Sequence, residues 1–265
     1  MQEEEGGAKP RWPAWYAPVA WVCALVLAIL ATLLLVLGLS AAGVDRDYPG
    51  LQVAQAVVQN AAFVGTGLFF ASRRGPLRAA DFGLRTAPLR TLLIWGGLAL
   101  VGLLALDIVY DMLVPSADQS VAKPFKGEGA GVLLLAGLTI VAVVPFVEEF
   151  FFRGFLYRAL RTRLGVTAAA LIDGVLFFGL AHLAGSNLEA LPPIAVGGVG
   201  LCLVYERTGS LYAAIGVHAG INAVGFAGEV GGGAWIVSLA TGLAMIVGSF
   251  LLARRPSPRG APAAG

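Results

Sequence analysis

FVEEFFFRGFLYR, residues 146–158, sets two adjacent glutamates and an arginine inside one of the most apolar parts of the chain. At membrane depth each such charge costs roughly 2.5–3.5 kcal/mol on insertion scales. Glu148, Glu149 and Arg153 therefore call for a reason, and the surrounding composition says that lipid is the medium. The chain has 265 residues, 58% of them hydrophobic and only 13% charged, and its mean hydropathy is +0.81. A soluble domain carries about a quarter charged residues. A membrane-spanning helix needs about 20 apolar residues. By that rule the sequence predicts eight spans, near 17–43, 50–72, 91–114, 130–158, 166–184, 189–206, 210–228 and 232–253. The expected fold class is all-α, a polytopic membrane helix bundle over 17–253, with disordered cytoplasmic ends at 1–16 and 254–265.

The first span is read as a helix and not as a cleaved leader. Lys9 and Arg11 precede an apolar run from about Pro18 to Val44, longer than the 7–15 residues of a signal-peptide core. With the N-terminus cytoplasmic, fifteen of the 18 lysines and arginines fall on or toward the cytoplasmic side, against Arg46, Lys123 and Lys126 outside. That bias predicts cytoplasmic termini. The short loops and the Ala/Gly/Arg-rich composition point to a bacterial plasma membrane. The net charge of +2 is spread out, with no basic stripe of the kind that binds nucleic acid. The expected partners are membrane lipid and a membrane-associated protein or peptide. Cys23 and Cys202 lie in apolar runs and support neither a disulfide framework nor a cysteine metal site.

On a helix, residues four apart share a face. Glu149 and Arg153 can therefore pair, which offsets part of the burial cost of both. Glu148 has Phe151 and Phe152 at those positions instead, so it is the chemically available carboxylate and a candidate general base. Taken alone, this arrangement fits equally well a buried ion pair that only holds helices together. The two histidines of the chain shift the balance. His182 ends FFGLAH with Phe178 on its face, and His218 begins HAGIN with Asn222 one turn on. All can reach one wet cavity, where a glutamate and a histidine deprotonate water while a histidine and an asparagine donate to an oxyanion. There is no intramembrane serine in a G-x-S-x-G setting, no H-E-x-x-H and no Y-D…G-x-G-D pair. Rhomboid-like, zincin-like and presenilin-like peptidases are thereby disfavoured.

Glu148-Glu149-x-x-x-Arg153, Phe178-x-x-x-His182 and His218-x-x-x-Asn222, in that order across about residues 130–228, resemble the type II CAAX prenyl endopeptidase family. This family is also called the CPBP or Abi family of intramembrane proteases. The resemblance implies about eight transmembrane helices around an interior cavity open to the cytoplasm. It implies that Glu148 and His182 activate water, that His218 and Asn222 form the oxyanion hole, and that Glu149, Arg153 and Phe178 support them. No cofactor is expected from a glutamate-dependent mechanism. The rival metalloprotease reading would give zinc the ligands Glu148, His182 and His218. The expected function is endopeptidase cleavage of a membrane-associated substrate, prenylated or a small peptide. The alternative is a non-catalytic scaffold or bacteriocin self-immunity protein of the same fold, and a proton-relaying transporter is the more distant rival.

Five further expectations concern other parts of the chain. Gln55, Gln59 and Asn60 read as interhelical hydrogen bonds, and Asp107 with Asp111 as a water-facing helix end. Asp173 reads as a partner of Arg158 or Arg161, with a supporting role near the site as the other option. The glycines at 96, 97, 197, 198 and 200 read as close helix packing, and 81–90 as a short amphipathic turn.

Overall fold

The computed structural model describes residues 10–114, 123–183, 186–230 and 233–254. Among them are eight apolar helices and no strand: α1 (Tyr16–Ala41), α2 (Pro49–Ser72), α3 (Leu89–Leu113), α4 (Ala130–Leu160), α5 (Val166–Gly179), α6 (Leu188–Thr208), α7 (Leu211–Val230) and α8 (Ala234–Ala253). Seven are long and apolar enough to cross a membrane, and α5 is the shorter one. The protein is an integral, multi-pass membrane helix bundle, as composition predicted.

Lipid contact explains the outer surface. On α1, Ile29, Leu33, Leu34 and Leu37 are exposed, while the buried face is Ala17, Ala20, Ala24 and Ala28. Small residues every third or fourth position let two backbones approach closely, which is how helices associate where water provides no drive. Two indoles fasten α1 and the segment before it to the centre. Trp12 Nε1–H donates to the Phe155 carbonyl at 3.2 Å, and Trp21 Nε1–H to that of Phe177 at 2.9 Å.

Aromatic packing holds the centre. All of Phe150–Tyr157 is buried, and Phe151 stacks on Phe63 with centroids 5.1 Å apart. This segment has wide π-helical turns, as do Thr139–Val143 and Ile172–Gly179. Gly174 and Gly198 bring α5 and α6 together, since a Cβ on Gly174 would lie 2.4 Å from the Val199 nitrogen. Gly96 and Gly200 also face close neighbours, whereas Gly97 and Gly197 have open space where a side chain would be.

Two expectations need correction. The segment 81–90 is a clasp packed into the bundle and not a surface turn. Phe82 and Ala87 are buried, the Gly83 carbonyl accepts from Leu211 N–H, and Ala87 N–H donates to Ala253. Gly83 has φ +82°, and a Cβ there would meet the Tyr205 hydroxyl at 2.5 Å, so glycine is required twice over. Residues 10–16 and Arg254, expected within disordered ends, are described parts of the structure. Residues 1–9 and 255–265 lie outside the described residues, but Trp12 is 2% exposed and Arg254 pairs with Ala87. Apolar burial of an indole and free backbone groups on the clasp hold them.

The helices alternate in direction, so the bundle has two distinct ends. One carries the 73–90 segment, the 158–165 turn, the 208–211 turn and Arg254, with most of the arginines. The other carries the 42–48 turn, residues 123–129 and the start of α6, with Asp45, Asp47, Asp111, Glu128 and Glu189.

Candidate active site

α4 carries its charges next to an interruption in its own hydrogen-bond ladder. In the π turn of Thr139–Val143, Val144 N–H reaches back five residues to Thr139. The next donor in that register would be residue 145, which is proline and has no N–H. The Ile140 carbonyl is thus left without a main-chain partner, and the Asn222 amide of α7 donates to it at 2.9 Å. π turns of this kind are frequent at functional sites.

One turn further along, Glu149 is fully buried and takes two donors on one oxygen. Arg153 Nη1 lies 2.9 Å from Oε1 and His218 Nδ1 lies 2.8 Å from it. The pairing of Glu149 with Arg153 agrees with their spacing. Arg153, itself fully buried, also donates to the Gly198 carbonyl at 2.7 Å and has Nε 3.7 Å from Asp173 Oδ2. Its guanidinium lies over the Phe178 ring, 4.4 Å from the centroid, a cation–π contact. Asp173 therefore serves Arg153, and not Arg158 or Arg161 as expected. Arg158 instead meets the Tyr205 hydroxyl and Arg161 meets Glu206 at 2.8 Å. Burial of an arginine demands acceptors on every side, and Asp173 lies closer to that demand.

Glu148 points the other way, between the histidines. Its Oε1 is 4.0 Å from His182 Nε2 and its Oε2 is 3.7 Å from His218 Nε2. Oε2 has no hydrogen-bond partner although it is buried. His182 Nδ1 is 2.8 Å from the Phe178 carbonyl. A carbonyl only accepts, so that nitrogen carries the proton and Nε2 presents its lone pair toward Glu148. His218 is held at Nδ1 by the Glu149 carboxylate. Phe178 packs against both rings, with centroids 4.6 Å from His182 and 6.0 Å from His218.

These groups line a cavity of about 730 Å³, within the range of small-molecule and peptide sites. Its wall includes Glu148, His182, His218 and Asn222, with Phe152 and Phe178 beside them. All four sequence-derived candidates are therefore brought to one chamber. Gln55, Gln59 and Asn60 belong to its wall as well, and do not bridge helices as expected. Asn60 instead donates to the Ala56 carbonyl of its own helix at 2.7 Å. The two glutamines face the cavity, whereas Asn60 Oδ1 is buried without a partner. Asp107 also lines the chamber, while Asp111 is exposed at the end of α3.

The lining reaches the bundle end at Arg46, Pro124, Phe125 and Ser186. The arginine count and the resemblance together required the arginines and the cavity mouth to share one end. They lie at opposite ends.

The two imidazoles approach different oxygens of Glu148, at 3.7 and 4.0 Å. Among the described residues, no group of three or more His, Cys, Asp or Glu could hold a metal ion.

Three features of the site were not read from the sequence: the Cys202 thiol donating to Asp173 at 3.2 Å, the Gly198 carbonyl under Arg153, and the link from Pro145 to Asn222. Only the proline left a signal, standing three residues before Glu148 in an apolar span. The family model for Rce1-like proteins, described as type II CAAX prenyl endopeptidases, matches residues 130–224, from the start of α4 into α7. No curated protein and no solved structure matches the chain. The matched segment contains Glu148, His182, His218 and Asn222, so the four site residues lie in the part of the chain that is similar to the Rce1-like type II CAAX prenyl endopeptidases.

Proposed function

We propose that the protein is an intramembrane endopeptidase in which Glu148 and His182 activate a water for attack on a peptide carbonyl. The observation that carries this reading is the Glu148 carboxylate, unpartnered at Oε2 and flanked by two imidazole Nε2 atoms on the wall of a cavity. The 4.0 Å separation of Glu148 Oε1 and His182 Nε2 is too long for a direct hydrogen bond. A water bridging the two finds two proton acceptors.

The reaction then runs as a balanced hydrolysis. The Glu148 carboxylate takes a proton from the water as its oxygen bonds to the carbonyl carbon, and the carbonyl oxygen becomes an oxyanion. One Asn222 amide hydrogen is committed to Ile140, and the second is the donor to that oxygen. The second donor is His218 Nε2–H of the doubly protonated ring, whose Nδ1–H is held by the Glu149 carboxylate. As the C–N bond breaks, the proton held by Glu148 passes to the leaving amine. General-base help supplies roughly 10²–10⁴-fold, and each oxyanion donor about 10²–10³ in rate.

The test is cleavage of a library of tagged membrane peptides by the purified protein in detergent, beside Glu148→Gln and His182→Ala. Cleavage by the wild type alone supports the reading. Equal cleavage by all three proteins overturns it.

A further inference from the structure

The chamber that holds Glu148 is closed on the arginine-rich side. Between it and that end lie Phe150–Leu160, buried throughout, with the Phe82 clasp beneath them. Phe82 stacks on Phe150 with centroids 4.5 Å apart. Across the same end, Tyr157 and Arg161 both bond to Glu206 at 2.8 Å. On the opposite side, among the described residues, the lining continues without such a plug to Arg46, Pro124 and Ser186.

The two ends also differ in charge in the way that orients membrane proteins. Short connecting segments rich in Lys and Arg stay in the cytoplasm, and acidic residues weigh little in that choice. The closed end carries Arg73, Arg74, Arg78, Arg161 and Arg163 in just two connections. The open end carries Arg46, Lys123 and Lys126 among the described residues. The charge rule therefore puts the mouth outside.

The route from the mouth to Glu148 runs along α2. Gln52, Gln55 and Gln59 are spaced three and four apart and share one face, and all three line the cavity with Asn60. Asn60 is 7% exposed and its Oδ1 has no partner. Side-chain amides carry both donors and acceptors, which matches the alternating groups of a polypeptide main chain.

We propose that this site takes a polypeptide segment presented on the non-cytoplasmic side of the membrane, which enters past Gln52 and lies along the α2 amides to reach Glu148. This rests on the peptidase reading above and adds the side and the class of its substrate. A segment confined to the cytoplasm would meet the end packed with Phe150–Leu160 and Phe82 instead.

Cysteine accessibility in intact cells tests the side without needing turnover. In a Cys23→Ser background, with buried Cys202 retained, a membrane-impermeant maleimide is applied to Gln52→Cys and to Arg90→Cys. Ser186→Cys serves as a second mouth position if Gln52→Cys does not fold. The expected result is labelling of the mouth cysteine in intact cells, and of Arg90→Cys only after permeabilisation. The reverse pattern, or a mouth cysteine that stays unlabelled until permeabilisation, overturns the proposal while leaving the peptidase reading intact. Conversely, the expected labelling without any peptide cleavage sinks the peptidase reading alone. In the cleavage assay, Gln55→Leu with Gln59→Leu is expected to raise KM at least threefold with little change in kcat. An unchanged KM overturns the assignment of the α2 amides to the route.

Discussion

His218 and Glu149 are joined at 2.8 Å through Nδ1 and Oε1 across 69 residues of sequence. The same oxygen takes Arg153 from its own helix at 2.9 Å. Glu149 is thus the joint between an ion pair buried for stability and an imidazole facing the cavity. Adjacent glutamates serve different ends because successive side chains on a helix diverge by about 100°.

Arg153→Ala leaves Glu149 and Asp173 buried without their cation. Removing one partner of a buried pair costs about 3–5 kcal/mol, so thermal unfolding in detergent is expected well below the wild-type temperature. An unaltered melting temperature would show that the pair contributes nothing to the fold.

Glu148→Gln keeps the shape of the side chain and removes the proton acceptor. Peptide cleavage is expected to fall by at least about 10², the low end of general-base help, with the melting temperature within a degree or two of wild type. Retained turnover in this variant would mean that another group activates the water.

Asn222→Ala is expected to act twice. It strands the Ile140 carbonyl, costing about 1–3 kcal/mol for an unsatisfied buried group, and it removes a donor to the oxyanion, lowering kcat about 10²–10³-fold. Pro145→Ala restores a main-chain N–H beside that carbonyl. A double-mutant cycle should therefore find the stability cost of Asn222→Ala reduced in the Pro145→Ala background. Strictly additive costs would break the link between proline and asparagine.

Gly174→Ala drives a methyl into the α6 backbone, where 2.4 Å is available. Overpacking of this kind costs about 1–3 kcal/mol. It also moves Gly198 from Arg153 and shifts α5, which leads directly into His182. Both the melting temperature and cleavage should fall, and a variant unchanged in both would argue against tight contact at this crossing.

Adding a chelator such as 1,10-phenanthroline to the cleavage assay is expected to leave the rate unchanged, because water activated by a carboxylate needs no metal. Inhibition that is reversed by added zinc would restore the metalloprotease reading.

What the sequence determined follows from local and additive physics. Apolar runs of spanning length fix a helix in lipid whatever its neighbours are, so the bundle and its approximate spans were legible. The i,i+4 rule is a property of one helix, so Glu149 with Arg153 was legible too. The expense of charge in hydrocarbon singled out Glu148, His182, His218 and Asn222. What only the tertiary structure decided depends on contacts between helices. The carboxylate joining His218 to Arg153, the carbonyl that Pro145 hands to Asn222, and the service of Asp173 to Arg153 all cross from one helix to another. The same is true of the glutamines on α2, whose polarity is answered by an open chamber and not by a partner. The end at which that chamber opens is set by which side the phenylalanines of α4 and the Phe82 clasp seal, and packing of that kind leaves no periodic trace along the chain.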